Sequence, residues 1–191
     1  TVVSNLPPNC KLVVFDLDGT LIDSRKDLVV SVNATRRHYG MGDLDDRSVE
    51  SFTGSGASVL IERAMGPDFD AGKLDEALHY FIMYYRNHSL DHTVLYPGAR
   101  EVVQTLAEAG VLQAVLTNKP VRISKDILDG LGLSASFLRI YGGGSFDSKK
   151  PDPEGLLRLM EEAGASPSET LMVGDSTVDI QTARNAGCRG C

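Results

Sequence analysis

Apolar residues gather in four short, near-continuous runs, at 12–15, 112–116, 138–141 and 171–173. Runs of that length that do not alternate cleanly with polar residues predict strands buried on both faces, as in a parallel sheet covered by helices. Between them the apolar period lengthens to that of a helix. Val102, Val103, Leu106 and Ala109 make one stripe, closed by Gly110; Ile123, Ile127, Leu128 and Leu131 make another before Gly132. In PDPEGLLRLMEEAG, Pro153 suits the first helical position and Gly164 the stop. Ser166-Pro167-Ser168-Glu169 has the spacing of a capping box just ahead of the strand at Leu171. Strand and helix therefore alternate over 96–187, which predicts a doubly wound, Rossmann-like α/β core with a parallel sheet.

The stretch from Ser24 to Leu95 breaks this rhythm. Leu28, Val32, Thr35 and Tyr39 form a helical stripe, as do Leu74, Leu78, Phe81, Ile82 and Tyr85, with Leu60, Ile61 and Ala64 between them. No strand pattern interrupts them. The expectation is a helical cap at 24–95 inserted into an α/β core made of 1–23 and 96–191, with Tyr96-Pro97-Gly98 as the return hinge. The Tyr80-Phe81 and Tyr84-Tyr85 pairs read as the apolar core of that cap.

Composition narrows the class. The chain has 191 residues, 42% of them hydrophobic, and a net charge of −7 from 19 Lys+Arg against 26 Asp+Glu. That balance argues against a nucleic-acid surface, though not against a small anionic ligand held by local charge. No apolar run approaches the ~20 residues of a membrane span. The opening TVVSNLPPNC lacks the basic-then-apolar layout of a signal peptide, so the expectation is a cytoplasmic protein. Cys188 and Cys191 flank Arg-Gly, and with only Cys10 besides they make neither a zinc site nor a redox pair ahead of a helix; free thiols in a loop are expected. His88 and His92 are four apart without an accompanying Glu and read as polar surface.

The chemistry collects where the predicted strands end. The first runs into Asp16 and Asp18, the next into Thr117-Asn118-Lys119, and the last into Gly174-Asp175-Ser176 with Asp179 beyond. In an open parallel sheet these carboxyl ends share one edge, where ligands bind, and Lys150 can reach it from a loop. Asp16, Asp18 and Asp175 converging there call for a cation. Hard oxygen ligands in that number suit Mg²⁺, which shares its shell with a phosphate. Gly54-Ser55-Gly56 follows no strand and reads as a helix N-terminus in the cap, lying over the substrate. Gly142-Gly143-Gly144 reads as a turn.

DLDGT at 16–20, LTN at 116–118, Lys150 in KKPDP and GDSTVDI at 174–180 resemble, in order, the four motifs of haloacid dehalogenase-like phosphatases. FTGSGASVLIERAM, YPG, TNKP, YGGG and KKPDPEGLL are similar to stretches of the bacterial phosphoglycolate phosphatases within that family. The resemblance implies a Mg²⁺-dependent phosphomonoesterase acting on a small phosphorylated metabolite, 2-phosphoglycolate in the first instance. It implies Asp16 as nucleophile and Asp18 as acid–base, with Thr117 and Lys150 on phosphate oxygens. Asp16, Asp18 and Asp175 would hold the metal, Asp18 through its backbone carbonyl, and Asp179 would act from further out, on a metal-bound water or on Lys150. Asn118, Gly54 and Ser55 complete the expected substrate contacts.

Other readings remain at this point. The same fold could serve a sugar phosphate or a phosphomutase, and a receiver-like module could accept phosphate on aspartate without turnover; Asp18 and the large helical insert favour turnover. Arg25, Arg63, Lys119 and Arg122 are each candidates for a substrate carboxylate. The family core continues past its last motif with a further strand, so a chain ending at Cys191 predicts an uncovered sheet edge.

Overall fold

The computed structural model describes residues 6–191; the first five residues of the expected core segment 1–23 lie outside it. Its centre is a five-stranded sheet in the order β5-β4-β1-β6-β7, from β1 (Leu12–Phe15), β4 (Leu112–Pro120), β5 (Ile140–Gly143), β6 (Thr170–Val173) and β7 (Arg189–Gly190). Every pairing is parallel, with Leu12 opposite both Leu112 and Thr170. All four residues of β1 are buried, and they divide by alternation, as side chains of a strand must. Val13 and Phe15 join a core with α5 (Ala99–Glu108) and α6 (Val121–Gly130) through Val103, Leu106, Ile123 and Ile127. Leu12 and Val14 pack on the other face against α7 (Glu154–Ala163) and α8 (Thr177–Asn185), through Leu156, Leu159 and Ala183. That is the doubly wound core.

The chain leaves this core through β2 (Ile22–Asp23) and returns through β3 (Val94–Leu95). The two pair antiparallel, Ile22 with Leu95 and Asp23 with Val94, so entry and exit are tied into one ribbon. No strand was expected there: two residues are too short to carry a period. Between them lie α1 (Arg25–His38), α2 (Asp46–Ser51), α3 (Ala57–Met65) and α4 (Leu74–His88). Leu28, Val32, Leu60, Ile61, Phe81 and Tyr85 are buried in the same apolar cluster as Val13 and Phe15. Among the described residues no helix is long and apolar enough to cross a membrane.

Three expectations change. The strand expected to stop at Leu116 continues to Pro120, because Thr117, Asn118 and Lys119 are polar yet buried. The glycine run expected as a turn begins inside β5, and a Cβ on Gly142 would lie 2.6 Å from the Lys119 carbonyl oxygen, so glycine there permits close backbone approach. The Cys188–Cys191 stretch, expected as a loop beside a bare edge, contains β7 pairing with β6. Arg189-Gly190 carries no apolar signal that could have announced it. Cys10, Cys188 and Cys191 are free thiols.

Candidate active site

The loop after β1 is wound tightly by backbone bonds: the Leu17 carbonyl accepts from the amides of Thr20, Leu21 and Ile22, and Gly19 donates to Ile22. Gly19 has a φ of +79°, and a Cβ there would come within 2.2 Å of Asp175 Oδ2. Only glycine lets the β1 and β6 loops meet this closely. Asp16 and Asp18 leave this loop toward different partners.

Asp16 Oδ1 accepts the Leu17 amide at 2.7 Å and lies 2.9 Å from Lys150 Nζ. Lys150 is buried and also donates to Asp179 Oδ1 at 2.6 Å. Asp179, fully buried, sits in the first turn of α8, where its Oδ2 accepts the amide and hydroxyl of Ser176 as a capping box. Carboxylate oxygens of Asp16, Asp175 and Asp179 lie within 4.8 Å of one another. Burial, with Asp179 nearby, pushes the Asp16 carboxyl up to about 6 against the opposing pull of Lys150. Three carboxylates with one ammonium leave uncompensated negative charge, and an all-oxygen donor set of this kind fits Mg²⁺.

Asp18 belongs to a different cluster. It accepts the Ser24 hydroxyl at 2.5 Å, and its two oxygens lie 3.0 and 3.1 Å from Lys119 Nζ. Lys119 also donates to the Tyr85 hydroxyl on α4 and lies 4.4 Å from that ring's centroid. Burial alone would lower the Lys119 pKa, but Asp18 and Tyr85 raise it above its ordinary value. Asp18 was expected to converge with Asp16 and Asp175; its side chain points instead to Lys119 and Ser24, and Asp179 takes its place in the carboxylate cluster.

These groups line or underlie a cavity of about 360 Å³ between the strand ends and α1, α3 and α4, a volume suited to a small ligand. Thr117 is in its wall, as are Gly54 and Gly56 at the entrance to α3. Asn118, expected to bind substrate, has its amide committed: Nδ2 donates to the carbonyls of Gly54 and Lys150, both at 3.0 Å, and Oδ1 accepts the Lys150 amide at 2.9 Å. It braces the Lys150 loop against the cap loop. Ser55 is not among the lining residues; its carbonyl accepts from Lys149 Nζ at 2.8 Å. Of the candidate cations, Lys119 and Arg25 line the cavity, whereas Arg63 and Arg122 are exposed away from it.

Tyr85 was read as cap core and its polar end was missed, because Phe81 and Tyr85 four apart look like any helical stripe. Lys119 had a usable signal. In an extended strand, residues two apart share a face, so Lys119 follows Thr117 while Asn118 turns the other way. His92, read as surface, is exposed, and it also bonds through Nδ1 to Oδ1 of the buried Asp27 at 2.8 Å.

Residues 13–191 match the family model described as haloacid dehalogenase-like hydrolase. The chain is 41% identical over 181 residues to the phosphoglycolate phosphatase of Pseudomonas syringae pv. syringae (strain B728a), a match covering 93% of this chain and 66% of that protein. It is 40% identical over 186 residues to the phosphoglycolate phosphatase of Vibrio vulnificus (strain YJ016), covering 93% of this chain and 81% of that one. The chain thus spans just under two thirds of the Pseudomonas relative's length. A crystal structure of a predicted phosphoglycolate phosphatase from Haemophilus somnus 129PT superposes with a TM-score of 0.91 at 32% identity, covering 95% of this chain and 84% of that one.

Proposed function

The chain belongs to the haloacid dehalogenase-like hydrolase family, and we propose that it is a Mg²⁺-dependent phosphomonoesterase that hydrolyses 2-phosphoglycolate to glycolate and phosphate. The observation that carries the reaction class is the meeting of Asp16, Asp175, Asp179 and Lys150 at the carboxyl edge of the sheet. The relatives named phosphoglycolate phosphatase at about 40% identity support the substrate. We take 24–95 as the cap whose helices close the cavity.

Asp16, Asp175 and the Asp18 backbone carbonyl would hold the metal, with Asp179 supporting Lys150. When bound, the ion offsets the charge of the phosphoryl group and helps align it. One Asp16 oxygen is tied to Lys150 and the Leu17 amide, which fixes the carboxylate and leaves the other oxygen to attack phosphorus. The bond from phosphorus to the ester oxygen breaks, and the departing alkoxide takes a proton from Asp18. Asp18 then accepts a proton from the water that attacks the aspartyl phosphate, releasing phosphate and restoring Asp16. Ser24 and Lys119 hold Asp18 in one orientation through both steps. Thr117 would hold a phosphate oxygen.

The test is steady phosphate release under excess substrate, with Mg²⁺, across 2-phosphoglycolate and a set of sugar phosphates. The expected result is many turnovers and the highest kcat/KM for 2-phosphoglycolate. Phosphorylation that stops after one equivalent would overturn the hydrolase reading, and sugar phosphates ranking first would overturn the substrate.

A further inference from the structure

Resting on that reading, we propose that Lys119, seated by the Tyr85 hydroxyl, is the specificity-determining residue that holds the carboxylate of the leaving group. For Asp18 to protonate the ester oxygen, that oxygen must lie against the Asp18 carboxyl. In a two-carbon leaving group that is also an acid, the carboxylate is attached to the carbon next to that oxygen. Lys119 Nζ is 3.0 and 3.1 Å from the same Asp18 oxygens and lines the same cavity, so it stands within reach of that carboxylate.

Competing cations fall away on geometry. Lys150 lies at the phosphoryl end between Asp16 and Asp179. Arg25 lines the cavity, but its guanidinium makes two bonds to Asp23, at 2.9 and 2.6 Å, and its side chain is 60% exposed. Glu50 shares its stretch of wall. Water and two acidic neighbours blunt that charge. The Lys119 side chain is 2% exposed and pairs with Asp18, but an Asp18 that carries the proton for the leaving group is neutral, and an ammonium so withdrawn from water then acts strongly on whatever enters beside it.

Tyr85 adds direction. Its oxygen accepts from Lys119, and its own hydrogen can turn from neighbouring Ser24 to an acceptor on the ligand. Ammonium and phenol together offer a carboxylate two donors from two elements, β4 and α4. Leu28, Leu60 and Phe81 supply apolar lining from the helical side. The hydroxyls of a sugar would lose water against those side chains without replacement bonds, so the wall favours a short acidic leaving group over a polyol.

The experiment measures kcat/KM, with Mg²⁺ present, for 2-phosphoglycolate and for ethyl phosphate, whose two-carbon leaving group lacks the charge. Wild type, Lys119→Met and Tyr85→Phe are compared. Lys119→Met lowers both rates, because Asp18 loses its partner, but the preference for 2-phosphoglycolate falls by about 10- to 100-fold, as expected for one lost charge-assisted hydrogen bond. Tyr85→Phe, which removes a single oxygen, lowers the preference by about three- to tenfold, and keeps the question answerable if Lys119→Met does not fold. Inhibition by glycolate weakens in both variants while inhibition by inorganic phosphate holds. Rates that fall in parallel for the two esters would overturn the assignment to Lys119. A wild type indifferent to the carboxylate would overturn the substrate reading itself, a separately visible result.

Discussion

Asp16 and Asp18 are separated by one residue, yet each has its own lysine from a different part of the chain. Asp16 meets Lys150, whose other partner Asp179 is fully buried, and every member of that set comes from the strand-end loops and α8. Asp18 meets Lys119, whose other partner Tyr85 stands on α4, in the segment between β2 and β3. The first cluster is built wholly within the α/β core. The second is complete only when α4 is in place. On the proposed reading, the division would match the two ends of a phosphate ester, with phosphorus over the core and the leaving group against the helices.

Removing each aspartate in turn and varying the leaving group separates the two clusters most clearly. Asp16→Asn should abolish covalent turnover of every ester, a loss on the order of 10⁴-fold or more. Asp18→Asn should cost about 10²- to 10⁴-fold on an alkyl ester, the usual worth of a general acid. An aryl ester whose leaving group departs without a proton should recover much of the first step in Asp18→Asn and none in Asp16→Asn. Measuring both variants on 2-phosphoglycolate and p-nitrophenyl phosphate checks this. Equal recovery in the two would mean the aspartates do not divide the work as drawn.

Asp16, Asp175 and Lys150 were legible in the sequence because DLDGT and GDSTVDI each follow an apolar strand and KKPDP is a recognisable loop string; Asp179 was expected further out, yet its carboxylate joins the cluster. Their spatial meeting follows from sheet topology, since parallel strands deliver their carboxyl ends to one edge. The second cluster was not legible as a cluster. Tyr85 is masked by the helical stripe it completes, and nothing local says that its hydroxyl passes into a cavity. Asn118 lines the cavity, as its motif suggests, but nothing local announces that its amide also braces Gly54 and the Lys150 loop. The ribbon of β2 and β3 and the short β7 are too brief for any period to reveal.

The two lysines should also differ in what they contribute to stability. Lys150→Met leaves Asp16 and Asp179 facing each other without their ammonium, and neither can rehydrate easily, with side chains 13% and 0% exposed. Removing one partner of so buried a set should cost about 3–5 kcal/mol. Lys119→Met strands Asp18 alone, and that side chain is 33% exposed, so water can take over part of the lost bonding and about 1–2 kcal/mol is expected. Urea unfolding of the two variants at neutral pH reads the difference. The reverse order would place the greater electrostatic dependence on the helical side.

A further effect concerns how α4 is held in place. Asp27, near the start of α1 and 1% exposed, accepts from the His92 amide and ring and from the Thr93 amide and hydroxyl, at 2.7 to 3.0 Å. These bonds join the beginning of the helical segment to its end, beside the β2–β3 ribbon. Burial acts to raise the Asp27 pKa, but the bonds from His92 and Thr93 outweigh it and hold the group below its ordinary 3.8. A carboxyl whose folded pKa is depressed stabilises the fold fully above the unfolded value, and that contribution is lost as the pH falls through the folded value. Asp27→Asn should therefore cost about 2–3 kcal/mol at neutral pH, as for a charged acceptor serving several donors. The gap between wild type and variant in urea midpoint should narrow only below about pH 4. Because Asp27 touches neither aspartate of the site, the variant should raise KM for 2-phosphoglycolate through looser placement of Tyr85, while the Asp16 half-reaction with an aryl ester is spared. A gap in stability that stays constant from pH 7 to pH 3 would show that the charge on Asp27 is not what ties the two ends together.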